Sequence, residues 1–167
     1  KRDPSKVYGP RFRFPKDLFL EEVWLLKLAL ILFAISFSIS ASDSSIKPFK
    51  SDGCSGWKNG TRWEPNLWLE CCVRHDLQYW KGGTKDQREE ADRDFRKCVT
   101  KKSNILTALV MYVGVRIGGS PDYNTEYRWG YGWNKRRDYQ AHSPQDLKAI
   151  EDASPRNDQQ LFQRVDP

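Results

Sequence analysis

The residues best suited to chemistry lie in one short string, Glu70-Cys-Cys-Val-Arg-His-Asp-Leu-Gln-Tyr79. An imidazole can take up and release a proton near neutral pH, and a carboxylate is a natural ligand for a hard cation. On a helix, consecutive residues point about 100° apart. His75 and Asp76 therefore cannot grip each other and are free to serve different partners, the imidazole a proton and the carboxylate a cation. Cys71, Cys72, His75 and Tyr79 recur at helical spacings and share a face. Further on, Asp92 lies three residues before Phe95 and six before Cys98. A bridge from Cys98 to either Cys71 or Cys72 would clamp a second helix to the first and bring Asp92 toward His75. The four cysteines allow three connectivities, and spacing does not choose among them. A zinc site built from the cysteines and His75 is the competing reading. It is disfavoured because adjacent cysteines diverge on a helix, whereas paired zinc ligands usually stand a few residues apart.

These residues need a compartment and a scaffold. The 167-residue chain carries 28 Lys+Arg against 22 Asp+Glu, a net charge of +6, and has room for one ordinary domain with tails. The apolar run Leu28 to Ile39 is too short for a comfortable membrane span. With Lys27 before it and Ser38, Ser40, Ala41 and Ser42 after, it reads as a signal peptide. A retained anchor over Leu18 to Ala41 is the alternative. The opening Lys and long lead-in suggest a mis-set start or a fragment. Removing residues 1–41 takes away seven basic and four acidic residues and leaves +3, so the charge gives no support to nucleic-acid binding and no motif for it is present. Export would place the cysteines where disulfides persist. The expected location is thus secreted or periplasmic, or anchored and facing outward.

Downstream, Ser51 to Gly60 reads as a loop. Pro65 opens a first helix that runs through Trp80 and stops at Gly82-Gly83. Thr84-x-x-Gln87 has capping-box spacing ahead of a charged second helix through about Val99, with Asp86, Glu89, Glu90 and Asp94 on its solvated face. A third begins near Ser103 or Asn104 and ends at Gly118-Gly119. Its apolar residues Ile105, Leu106, Leu109, Val110, Tyr112 and Val113 are expected to pack in a core rather than enter a membrane. The aromatic stretch Tyr123 to Trp133 is expected to cover that core. Residues 134–167 are polar and expected to be disordered, save for a short helix around Gln145 to Asp152. The domains expected are 1–41, 42–133 and 134–167.

The string Cys71-Cys72-x-x-His75-Asp76-x-x-Tyr79, with Asp92 six residues before Cys98 and Asp52-Gly-Cys-Ser-Gly-Trp57 upstream, resembles the active-site helices and calcium loop of the secreted, calcium-dependent phospholipase A2 family. The likeness covers roughly 52–99. It implies a mainly α, phospholipase A2-like fold, with two antiparallel disulfide-linked helices, a calcium loop and a third helix. It implies the pairs Cys54–Cys72 and Cys71–Cys98. A further family bridge would join positions held here by Gln78 and Ala91, both of its cysteines being absent together.

By the same likeness, His75 would be the general base that activates water toward the sn-2 ester of a glycerophospholipid. Asp92 would fix its tautomer, and Tyr79 would support Asp92. Asp76 would ligate Ca²⁺ with the carbonyls of Gly53, Ser55 and Trp57. The implied products are a fatty acid and a lysophospholipid, and the implied partner is a phospholipid membrane surface; protein partners are left open. Tryptophan, with an apolar body and one donor, suits such an interface, and Trp57 and Trp63, in or next to the loop, are expected to be exposed there. Ser55 and Trp57 stand where the family commonly has glycine, so the loop is expected to take a different shape or to bind calcium more weakly. The alternatives are a catalytically silent module of the same scaffold, binding lipid or a partner, and a membrane-anchored envelope structural protein.

Overall fold

The computed structural model describes residues 45–165, within a unit spanning Asp43–Pro167. The expected leader or anchor therefore lies outside the described residues. Among the described residues the architecture is five helices and no strands, with two isolated bridge pairs, Ile46 with Trp133 and Ser51 with Val165.

The first helix, α1, spans Leu69–Lys81. It begins four residues later than Pro65 suggests, because residues 65–68 form a turn and Trp68 stands at the N-cap without a side-chain cap bond. Gly82 and Gly83, at φ 70° and 132°, end it in a backbone conformation that side-chain-bearing residues resist. Thr84 then caps α2, Lys85–Lys102, through a reciprocal box with Gln87. Only one face of this charged helix is buried. Arg88, Ala91, Asp92, Phe95 and Val99 follow the helical repeat. Asn104 caps α3, Ile105–Gly118, by accepting from the Thr107 amide.

Cross-links fix the directions. Cys71 is bonded to Cys98, His75 meets Asp92, and Tyr79 meets Arg88, so residue numbers rise on α1 as they fall on α2. The same holds between α2 and α3, where Arg96 lies over Tyr112 and Asp92 meets Arg116. The three helices are antiparallel in sequence. A second disulfide, Cys54–Cys72, ties the upstream loop to α1. Both pairs are those implied by the family likeness.

Two expectations require correction. The apolar residues of α3 do not form a core: Ala108 and Met111 are buried, whereas Ile105, Leu106, Leu109, Val110 and Val113 are exposed. The reason is phase, since Ala108, Met111 and part of Val115 point at α2 and the other branched residues point away. The polar C-terminal segment, in turn, is folded beyond the short helix expected around Gln145 to Asp152, which is present. Ser143 and Asp146 make a capping box for α4, Pro144–Ala153, and Asn157 caps α5, Asp158–Gln163. Ile150 and Leu161 are buried with Phe49, Val73, Trp80 and Trp133.

α1 accordingly lies between two clusters. Trp68, Cys71 and Cys72 face Phe95, Val99, Ala108 and Met111, while Val73 and Trp80 face the C-terminal segment. The aromatic stretch covers the end of α1. The indoles of Trp129 and Trp133 donate to the carbonyls of Gly83 and Lys81, satisfying backbone groups left free where the helix stops. No helix among the described residues is long and apolar enough to cross a membrane.

Candidate functional site

Asp92 is fully buried on α2 and collects donors from both neighbouring helices. His75 Nε2 lies 2.9 Å from its Oδ1, and the Tyr79 hydroxyl donates to the same oxygen at 2.8 Å. Arg116 Nη1 donates to Oδ2 at 2.7 Å. Burial pushes the Asp92 carboxyl up, but the hydrogen bonds from His75 and Arg116 outweigh it and hold it below the usual carboxylate range. A carboxylate so held receives the imidazole proton on Nε2. That leaves Nδ1 as the lone-pair nitrogen, and it makes no hydrogen bond among the described residues. Gly119 belongs to this arrangement, because a Cβ there would run into the Tyr79 ring.

Arg88 ties the constellation together. Its Nε donates to the Tyr79 hydroxyl at 2.9 Å, Nη1 to Tyr139 at 2.6 Å, and Nη2 to the carbonyls of Val115 and Arg116 at 3.1 and 2.8 Å. The planar fork of arginine suits this many-sided role. Neither Arg88 nor Arg116 stands out in the sequence. Arg88 sits among the charges of a helix that reads as solvated, and only its place in the buried repeat with Ala91, Asp92 and Phe95 could have singled it out.

One residue on, Asp76 turns toward the loop. The buried Ser51 hydroxyl donates to its Oδ2 at 2.6 Å and itself accepts from the Gly53 amide at 3.0 Å. Burial pushes the Asp76 carboxyl well above the usual range. The Ser51 bond opposes this, and nearby Asp52 adds to it. A buried carboxyl beside a second carboxylate and only one neutral donor is a place where a cation would be well received. Ser51, too, was not apparent from the residue pattern.

The loop bears on whether calcium fits. Among the described residues no cluster of three or more His, Cys, Asp or Glu side chains could hold a metal. A site with one carboxylate and several carbonyls needs no such cluster. The Cys54 carbonyl accepts from the Trp57 amide at 2.8 Å, whereas those of Gly53, Ser55 and Trp57 accept no hydrogen bond among the described residues. The left-handed backbone positions of the loop fall on Gly53 and Gly56, at φ 79° and 70°, and among the described residues only glycines have positive φ. Ser55 and Trp57 therefore adopt backbone angles open to any residue and do not strain this loop. A Cβ at Gly53 would collide with the Asn59 amide that accepts from Cys54 N–H.

A cavity of about 570 Å³ brings these groups to one surface. Gly53, Ser55, Trp57, His75, Asp76 and Tyr79 line one part of it, and Phe95 with residues of α3, including Val110, Met111 and Val113, lines the rest. Such a volume suits a small-molecule group or one arm of a larger ligand. Asp92 does not line the cavity and meets it only through its contact with His75. Trp63 is outside it, 84% exposed, with the Arg62 guanidinium over its ring. No protein-family model, curated protein or solved structure matches the chain.

Proposed function

We propose that this chain is a calcium-dependent phospholipase A2, hydrolysing the sn-2 ester of glycerophospholipids to a fatty acid and a lysophospholipid. The observation that carries the reading is the His75–Asp92 contact at 2.9 Å on the wall of a cavity that also contains Asp76 and the Gly53–Trp57 loop.

His75 Nδ1 takes a proton from water as that water attacks the ester carbonyl, and it returns the proton to the leaving oxygen. Asp92 holds Nε2–H, so the ring keeps the tautomer and orientation this requires. It also steadies the imidazolium while the proton is on the ring. Tyr79 and Arg116 keep Asp92 in place, and Arg88 keeps Tyr79 in place. Phe95, Val110, Met111 and Val113 offer an acyl chain an apolar wall and exclude bulk water from the proton transfer. Asp76 and the carbonyls of Gly53, Ser55 and Trp57 would hold calcium, which when bound supplies a Lewis acid for the phosphate and the developing oxyanion.

The test is fatty-acid release from the sn-2 position of phospholipid vesicles, with calcium and with chelator. His75→Gln is expected to lower the rate roughly 10²- to 10⁴-fold. Asp76→Asn is expected to raise the calcium concentration needed for half-maximal rate. Release that ignored both the histidine change and chelation would exclude the mechanism. No release from folded, oxidised protein would leave a silent lipid-binding module with the same geometry.

A further inference from the structure

At about 3.6 residues per turn, the buried or half-buried Ala108, Met111 and Val115 mark the side of α3 that faces α2. Leu106, Val113 and Ile117 fall on the opposite side, 71%, 52% and 62% exposed, with Leu109 and Val110 at 39% and 50% beside them. The centre of the outward face is thus its most apolar part, the reverse of a surface helix. A helix that is apolar all round is ordinarily covered on every side, and a contiguous exposed apolar strip marks an interaction surface.

We propose that the outward face of α3 is a bilayer-docking surface, on which the helix lies along the membrane with Leu106, Leu109, Val113 and Ile117 among the acyl chains. Two features favour a bilayer over a protein. First, the strip is continuous with the cavity: Val110 and Val113 belong to both, and exposed Trp57 lines the same cavity. A lipid could pass from the membrane to His75 along apolar surface, whereas a second copy seated there would close the mouth. Secondly, the charge is right for lipid head groups. α3 has no carboxylate and carries Arg116, and the exposed Lys101 and Lys102, the latter paired with Glu70 at 3.3 Å, end α2 with only Ser103 between them and the α3 N-cap. Apolar insertion combined with nearby cations is how interfacial helices gain affinity for anionic bilayers. The preference for a membrane as occupant rests on the lipid-cleaving reading above.

The test compares the full chain with its Leu106→Glu/Leu109→Glu variant by flotation with mixed phosphatidylcholine and phosphatidylglycerol vesicles in chelator, where no turnover intervenes. The double change is expected to weaken partitioning at least roughly tenfold. Amide hydrogen exchange in residues 105–118 of the unaltered chain is expected to slow when vesicles are added, a local readout that stands even if the variant folds poorly. Equal partitioning of the two proteins, or exchange in 105–118 indifferent to lipid, would overturn the proposal. So would a lipid-free dimer that the double change dissociates, since the face would then belong to a second copy. Vesicle binding in chelator without fatty-acid release on adding calcium would remove the hydrolase reading and leave the docking intact. Hydrolysis of dispersed short-chain lipid with no vesicle partitioning would do the reverse.

Discussion

α3 and the C-terminal segment are held against the rest of the protein by opposite means. α3 offers inward only Ala108, Met111 and half of Val115, and its last turn is gripped by charge: Arg88 donates to the carbonyls of Val115 and Arg116, and Arg116 pairs with Asp92. The C-terminal segment is far more polar, yet it is held by Ile150 and Leu161, buried against Phe49, Val73, Trp80 and Trp133. Of its ion pairs, an inner one joins Arg137, stacked on Trp133, to the buried Asp146, and an outer one joins the exposed Arg74 to Asp158. What attaches a segment is the phase of a few residues and the site they meet, not its mean apolarity. The segment attached through charge is also the one whose anchor ends at Asp92 and His75.

The largest effect on this contrast is expected from Asp92→Ala. It would take the anion from the buried Arg88, leave Arg116 only Glu89 at 3.6 Å, and remove the acceptor from His75 and Tyr79. Removing one partner of a buried ionic network costs about 3–5 kcal/mol, and chemical denaturation should read a loss of that order. A loss below about 1 kcal/mol would mean that α3 is not attached through this carboxylate.

Ile150→Ala and Leu161→Ala come next, each expected to cost about 2–4 kcal/mol in the same measurement, as for other large apolar residues truncated in a core. Melting of the C-terminal segment without loss of α1 would instead show that it folds as a separate layer. Much of this was open to a reader of the sequence. Ser143-Pro144-x-Asp146 has the same capping logic as Thr84-x-x-Gln87, with proline at the first helical position, and it predicts a start for α4. What the pattern could not supply was the vacancy on Val73 and Trp80 that Ile150 and Leu161 fill, since local spacing carries no information about a surface some seventy residues away.

The pH response should separate the two attachments. The folded Asp92 carboxyl sits below its unfolded value of about 3.9, so its contribution is complete above that pH and is lost as pH falls through the folded value. Acid should therefore loosen the α2–α3 contact while Ile150 and Leu161, which do not titrate, continue to hold the C-terminal segment. Hydrogen exchange below about pH 4 should quicken in 105–118 before it quickens in 144–163. The opposite order would show that the C-terminal ion pairs matter more than the plugs.

The smallest effect sharpens the contrast most. Leu106 and Ile117 are about as apolar as Ile150 and Leu161, but they point outward, so Leu106→Ala and Ile117→Ala should each change folding stability by no more than about 0.5 kcal/mol. The helix itself was legible, from the Asn104 cap to the Gly118-Gly119 stop. The clamp that sets His75 against Asp92 was legible only through the family likeness, because spacing left three cysteine pairings open. The outward turn of the branched residues of α3 was not legible, because a run apolar on every side gives no phase, and only the narrow approach to α2 at Ala108 and Met111 chooses one. If Leu106→Ala destabilised the protein as much as Ile150→Ala, another part of the chain would cover that face, and α3 would be an internal helix after all.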